Sequence, residues 1–307
     1  MKVFRFFLVL IQSYLFIIIV SLLGGLFFSQ YTLALTPYST LFLQVIFFLS
    51  SVKLNPKVIL QEMKDVKMIS YVNILKLFLF PAVVFLLAKL FVPELAVPLL
   101  LIAAMPTGMT TPLLTEVAGG KVGIALVLTL TTSLLAPFTI PLVISLFAKT
   151  AVTVSAATMF WNLTNVIFIP FILAQIVRRT CQEKIKSTYS AFKPISLILL
   201  GLLIMGAVAK EASIIHDQFG WRLGIDLLIV FVLIAVMLIA GYFVSHKHPH
   251  TDKIAISLSL TFMNFSLAIY LASAFFKDPN VLLVSVLVIA PWAFMLLPFK
   301  YVMKKIG

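Results

Sequence analysis

The charges of this chain almost never fall inside its apolar runs. "LVLIQSYLFIIIVSLLGGLFF", "LIVFVLIAVMLIAGYFV" and stretches like them follow one another with gaps of a few residues, and those gaps hold nearly all the Lys, Arg, Asp and Glu. In hydrocarbon every backbone amide must bond within its own segment, so an apolar run of about 20 residues that spans a bilayer has to be a helix. Ten runs qualify, at about 6–28, 33–52, 69–91, 94–118, 122–148, 152–177, 193–212, 223–245, 253–276 and 280–302. The first is too long for a signal-peptide core and has no small-residue cleavage site, so it reads as a retained span. At 62% hydrophobic and 11% charged, the chain carries more apolar surface than a soluble interior can hide. The expectation is an all-α polytopic integral membrane protein with the lipid bilayer as its solvent.

The net charge of +13 does not point to nucleic acid, because the basic residues sit in the gaps, where they set orientation. Seventeen Lys and Arg fall at the N-terminus, at the C-terminus and in the gaps after even-numbered spans, against five in the opposite gaps. This asymmetry predicts both termini in the cytoplasm, in the plasma (inner) membrane. Two gaps are long and charged, Lys53–Lys67 and Arg178–Lys193, and the first has the helical alternation of an interfacial segment. The single cysteine, Cys181, excludes an internal disulfide framework and a cysteine metal site. Nothing marks an enzyme: there is no nucleophile–base pair, HExxH, Walker loop or paired aspartates. The candidate aspartates Asp217 and Asp226 sit at membrane edges. "SHKHPH" reads as a solvated basic loop, and the three tryptophans fall near span ends, where indoles favour the interface.

Ten spans divide into two five-helix repeats, 1–150 and 151–307, and an odd-numbered repeat inverts its second copy. "LLTEVAGGKVGIALVLTLTTSLLAPFTIPLVI" and "LAIYLASAFFKDPNVLLVSVLVIAPWAFMLLPF" share an interrupted span, a short connection and a span with two late prolines. Inverted repeats interrupted at matching places point to the binding site of a secondary transporter.

The first interruption is Pro106-Thr107-Gly108-Met109-Thr110-Thr111-Pro112. Each proline removes an N–H donor and disfavours helix before it. The freed backbone groups cost several kcal/mol each in hydrocarbon unless protein, water or ligand meets them. Freed carbonyls and threonine hydroxyls suit a cation, whereas a half-helix N-terminus suits an anion. A second polar stretch, "SLSLTFMNFSLAIYLA", carries Ser259, Thr261, Asn264 and Ser266 in mid-span without a proline. Asn264 is expected to bond across to another helix. Lys76 lies about two turns into span three, with Asn73 on the same face. Two placements are open to it, snorkelling to the edge or facing the interior. Glu116 either marks a helix end or is a second intramembrane charge.

These residues resemble a known family. "VPELAVPLLLIAAMPTGMTTPLLTEVAGGKVGIALVLTLTTSLLAPFTIPLV" and "MNFSLAIYLASAFF" are similar to the bile acid:sodium symporter family. The resemblance implies ten helices in two inverted repeats, with discontinuous helices four and nine crossing at mid-membrane. It also implies a panel of helices 1, 2, 6 and 7 that rocks against a core of 3–5 and 8–10. It places substrate and ion binding at Lys76, Thr110, Thr111, Pro112, Thr129, Ser259, Thr261, Met263 and Asn264, with helix breaks at Pro106, Gly108 and Pro112.

Several of these positions depart from the family's sodium site. Thr111-Pro112 stands where sodium-coupled members have Ser-Asn, Ala125 replaces a serine, Ser259 a glutamate, Met263 a glutamine and Lys76 a glutamine, while Thr129 and Asn264 are kept. Only Thr111, Thr129, Ser259 and Asn264 persist as degenerate sodium-site positions. Hard cations need oxygen ligands, and a fixed ammonium opposes them. The expectation is a secondary transporter of a small organic anion, with Lys76 taking the space and charge of one sodium ion. No cofactor is implied, and the coupling ion is Na+ or H+. An auxin-type or arsenite-type efflux permease, or a sodium symporter with a reduced ion site, is the alternative. The chain is expected to act as a monomer or weak homodimer.

Overall fold

The computed structural model describes residues 14–54, 56–63, 65–148, 151, 155–213 and 220–306. The N-terminal basic residues, His216 and Asp217 lie outside these. The described chain is helical apart from short connections and one isolated β-bridge. Helix α1 is Tyr14–Phe27, and a short helical turn and a 3₁₀ segment around Pro37 lead into α2, Ser39–Val52. Then come α3 (Pro56–Glu62), α4 (Val66–Ile74) and α5 (Phe80–Phe91), with a π-helical turn at Leu75–Leu79 between the last two. Next are α6 (Ala96–Ala104), α7 (Thr111–Ala118), α8 (Val122–Phe147), α9 (Ala156–Lys186) and α10 (Tyr189–Lys210). The chain closes with α11 (Trp221–Val244), α12 (His250–Thr261), α13 (Phe265–Phe275), α14 (Pro279–Leu287) and α15 (Ile289–Ile306).

Seven helical stretches among the described residues are long and apolar enough to cross a membrane. Shorter apolar helices lie at Phe16–Phe27, Pro93–Ala104 and Phe265–Phe275, where the first, fourth and ninth runs were expected. Large apolar side chains such as Phe27, Leu90, Phe91 and Leu228 are exposed, as suits a surface bathed in lipid rather than water. This is an integral membrane protein.

Two expected spans are broken in the middle. Helices α6 and α7 are separated by non-helical Met105–Thr110, and α12 and α13 by residues 262–264. The pieces hold 9, 8, 12 and 11 residues. At about 1.5 Å per residue each covers roughly half of a 30 Å hydrocarbon layer. Pro112 does not itself sit in the break. It lies in the first turn of α7, where its missing N–H costs nothing, and its fixed φ helps restart the helix.

Around these pieces two groups of helices pack among themselves and are joined where α9 meets α8 and where α13 meets α2 and α10. Helix α10 packs against α1 and α2, and α2 against α9. Helix α8 packs against α7 and α12, α11 against α12, α5 against α6, and α14 against α6 and α13. Glycines permit the closest approaches. A Cβ on Gly25 would fall 2.8 Å from Val208 on α10, and one on Gly241 would fall 2.9 Å from the Ser257 Cα on α12.

Three local expectations change. The charged stretch from Arg178 is not a loop, because α9 continues to Lys186 through a non-helical kink at Cys181. Arg178 anchors it by donating to the carbonyls of Val52 and Leu54 at the end of α2. Trp161 and Trp221 are exposed, but Trp292 is buried, edge-on to Phe262 and Phe265 beside the second break. Asp226 is buried, in the second turn of α11.

Candidate functional site

The two breaks meet. Thr107 and Met263 form an isolated antiparallel bridge: Gly108 N donates to Phe262 O at 2.8 Å, and Asn264 N donates to Pro106 O at 2.9 Å. Pro106 has no N–H to offer, so its carbonyl serves as the acceptor while Gly108 supplies the donor. Side chains complete the junction. Thr107 Oγ1 donates to Ser259 O at 2.7 Å, and Thr107 N donates to Thr132 Oγ1 on α8 at 3.1 Å. Thr111 Oγ1 donates to Phe262 O at 3.1 Å. The carbonyls freed by the breaks at Pro106, Ser259 and Phe262 are therefore met by protein donors, as the apolar surroundings demand.

Asn264 bonds across the junction through its backbone amide and not through its side-chain oxygen. Its Oδ1 accepts from Leu267 N at 3.1 Å and caps its own half-helix, α13. The side chains that cross are those of Thr107 and Thr111. Their hydroxyls were legible as polar, but their partners, backbone carbonyls more than 150 positions away, were not.

A cavity of about 70 Å³ lies against the junction. Thr110, the N-cap of α7, and Asn264, the N-cap of α13, both line it, with Gly108 and Ser266 beside them. Facing them are Ser50 of α2 and Ser196 of α10. None of the described residues lining the cavity is ionisable, and the starts of two half-helices border it. Ser50 and Ser196 were passed over in the sequence. Each is a lone serine in an apolar run, and nothing local distinguishes it from the many serines that bond their own helix.

Of the other expected site residues, Thr129, Ser259, Thr261, Met263 and Lys76 are all buried, with Lys76 at 0% exposure. Lys76 does not snorkel. It lies in the π-helical turn, and its Nζ has no hydrogen-bond partner. A π-turn inserts one residue into the helical repeat and re-aims the side chains on it. Asn73 is not paired with Lys76, because its Nδ2 donates to Thr131 Oγ1 on α8 at 3.1 Å. Buried hydroxyls at Thr115, Thr129, Ser133, Ser259 and Thr261 also lack partners. Glu116 is exposed at the end of α7 and marks the helix end.

The expected sodium-site positions Thr111, Thr129, Ser259 and Asn264 offer three hydroxyls and one amide and no carboxylate. Thr129 and Ser259 keep hydroxyl oxygens, but Thr111 donates its hydrogen to Phe262 O, and that carbonyl also accepts from Gly108. Among the described residues no three His, Cys, Asp or Glu cluster to hold a metal, and no carboxylate lines the junction.

One side of the cavity is shut. Helix α13 packs against both α2 and α10, whereas α7 and α12 have no comparable packing against either. Two polar contacts hold the shut side: Tyr270 Oη and Thr40 Oγ1 lie 3.2 Å apart, and Lys210 Nζ donates to Ser273 O at 2.8 Å.

A membrane-embedded helical protein whose two interrupted helices meet in its interior has the architecture of a transporter. The pattern of the Sodium Bile acid symporter family matches residues 40–218, more than half of the chain, and the chain belongs to that family. Its members are transporters, not enzymes. The chain is 26% identical over 278 residues to "Uncharacterized sodium-dependent transporter YocS" of Bacillus subtilis (strain 168), covering 86% of this chain and 82% of that one. It is 26% identical over 190 residues to "Probable sodium/metabolite cotransporter BASS1, chloroplastic" of Oryza sativa subsp. japonica, covering 60% of this chain and 45% of that one. The protein of the same name in Arabidopsis thaliana is 24% identical over 123 residues, covering 40% and 31%.

Proposed function

We propose that this chain is a secondary active transporter of a small organic anion that works by alternating access and does not need sodium. The observation that carries this is the cavity between Ser50, Ser196 and the N-caps of α7 and α13. Two helix starts converging on a space without charged side chains favour a compact anion such as a carboxylate. Helices α1, α2, α9 and α10 act as the moving panel and the remainder as the core, in two inverted repeats divided near residue 150. The packing among those four helices supports this division. The chain is read as lying in the inner membrane with both termini in the cytoplasm, on the strength of its basic gaps.

Independence from sodium rests on the substituted ligand positions and on Lys76, buried without a partner where a cation ligand is expected. A second reading, a sodium symporter with a reduced ion site, is favoured by the names of the relatives, a sodium-dependent transporter and a sodium/metabolite cotransporter. Uptake into proteoliposomes separates the two. Organic-anion transport should persist when choline replaces sodium on both sides, and strict dependence on a sodium gradient would overturn the first reading.

A further inference from the structure

Among the described residues the only buried Asp, Glu, Lys or Arg are Lys76 and Asp226. Asp226 lies near the start of α11, four residues after Arg222, which is paired with Glu94. It is therefore not part of the junction. The turn that carries Lys76 packs against α4, α5, α6 and α8. None of these four helices carries Asp or Glu, and their charged residues, Lys67 and Lys89, are exposed and basic. None of the described residues lining the cavity is ionisable.

Positive charge is thus present at the site, but it is fixed to the protein. It resides in the N-termini of α7 and α13, which line the cavity. A cation that travelled with the substrate would need several oxygen ligands and a negative charge to replace its hydration. The carbonyls freed by the two breaks are occupied by protein donors, and no carboxylate is at hand. Lys76 is at 0% exposure and does not line the cavity.

We infer that the carrier moves its organic anion without a compensating cation, so that each cycle displaces the substrate's own charge and the membrane potential sets the direction of net flow. The inference rests on the proposed transport of an organic anion. Because a fixed charge is neither gained nor lost across the cycle, the driving force is that of the bare anion. In an inside-negative membrane this favours export, whichever way round the chain is inserted. For a monovalent anion the limiting ratio is about 50-fold, the equivalent of ~2.3 kcal/mol across ~100 mV.

The test uses the full chain in proteoliposomes with radiolabelled glycerate, gluconate and glucuronate as probes, carboxylates whose acids are too polar to leak through lipid. Potassium diffusion potentials are imposed with valinomycin, with no sodium and equal pH on both sides. Probe distribution should follow the potential, toward roughly 50-fold at ~100 mV, and should not respond to added sodium or to a pH step. Accumulation that follows a sodium or pH gradient and ignores the potential overturns this inference while leaving the transporter reading intact. If no probe moves and none shifts the melting temperature, the small-carboxylate reading fails and takes this inference with it. A Lys76→Gln, Ser259→Glu double variant gives a readout that needs no substrate. Its melting temperature should become sodium-dependent while that of the parent stays indifferent. A parent that sodium stabilises, or a folded double variant that sodium does not, overturns the role assigned to Lys76.

Discussion

Gly108 and Met263 touch backbone to backbone. A Cβ built on Gly108 would lie 2.9 Å from the carbonyl oxygen of Met263 and 3.3 Å from that of Phe262. The obstacle is main chain that is itself hydrogen-bonded into the junction, so it cannot swing aside as a side chain would.

Gly108→Ala should therefore force the two breaks apart. The expected loss is about 1–3 kcal/mol, the usual range for overpacking a tight site, together with most transport activity. Gly224→Ala is the control. Gly224 lies in α11 with nothing within 4 Å of its would-be Cβ, so alanine there should be neutral or stabilise by up to ~1 kcal/mol. Melting temperatures in detergent check both, and equal behaviour of the two variants would contradict the account of the junction.

Thr107 bonds at the crossing through both its amide and its hydroxyl. Thr107→Val keeps its shape but leaves Ser259 O without its donor, at a cost of about 1–3 kcal/mol. Thr107→Ser keeps the hydroxyl and should recover most of that. If valine and serine are equally tolerated in a thermal melt, the 2.7 Å hydrogen bond does not hold the junction.

The shut side of the cavity should loosen when its two contacts are removed. Tyr270→Phe with Lys210→Met deletes both, each worth about 1 kcal/mol. Because a 1.4 kcal/mol change shifts a two-state population about tenfold, the opposite conformer should gain several-fold or more. A cysteine at Ser266, in a Cys181→Ala background, would report this as faster labelling by an impermeant maleimide from the α13 side. An unchanged rate would remove these contacts from any role in gating.

Lys121, in the short connection before α8, gives a pH prediction. Its Nζ lies 2.9 Å from Glu62 Oε2 on α3. The hydrogen bond to Glu62 raises its pKa above the ordinary 10.5, with Glu62 and Asp252 charges adding to this and partial burial opposing it. A raised folded-state pKa gives stability that is fully present below the unfolded value and is lost as pH rises through the folded one. The side chains are 45% and 28% exposed, so screening limits the pair to about 0.2–1 kcal/mol. Lys121→Met should lower the melting temperature slightly at neutral pH and low salt. The difference from the parent should shrink in high salt and close as pH rises through the raised Lys121 pKa, above 10.5.

The sequence exposes a feature here when its cause is local. Apolar runs, the prolines around Gly108 and the basic gaps are one-dimensional signals, and they locate the membrane helices and the first break. The second break has no proline and showed only as a polar stretch. Its position follows from pairing with Pro106 and Gly108, which no neighbour of Met263 announces. The π-turn at Leu75–Leu79 was also hidden, because hydrophobic periodicity does not register one inserted residue in a run that is apolar on every side. Ser50 and Ser196 gain meaning only when α2 and α10 are brought opposite the junction. The charged segment after Arg178 misled because charge was taken to end a helix, whereas Arg178 has backbone carbonyls of α2 to bind.

The bridge between Thr107 and Met263 also constrains how the protein is made. Thr107 and its partner Ser259 are 152 positions apart, so the ribosome threads the first broken span into the bilayer long before the second exists. Until then the Gly108 amide, the Pro106 carbonyl and the Thr107 hydroxyl lack the partners they find at Phe262, Asn264 and Ser259, and the half-helices α6 and α7 stand as a polar defect in lipid. Biogenesis therefore has a late checkpoint. A nascent chain stopped before α12 holds most of its spans yet lacks the strand-like partner that seals its centre. Such fragments should be recognised and degraded, while the completed chain locks in a single closing event.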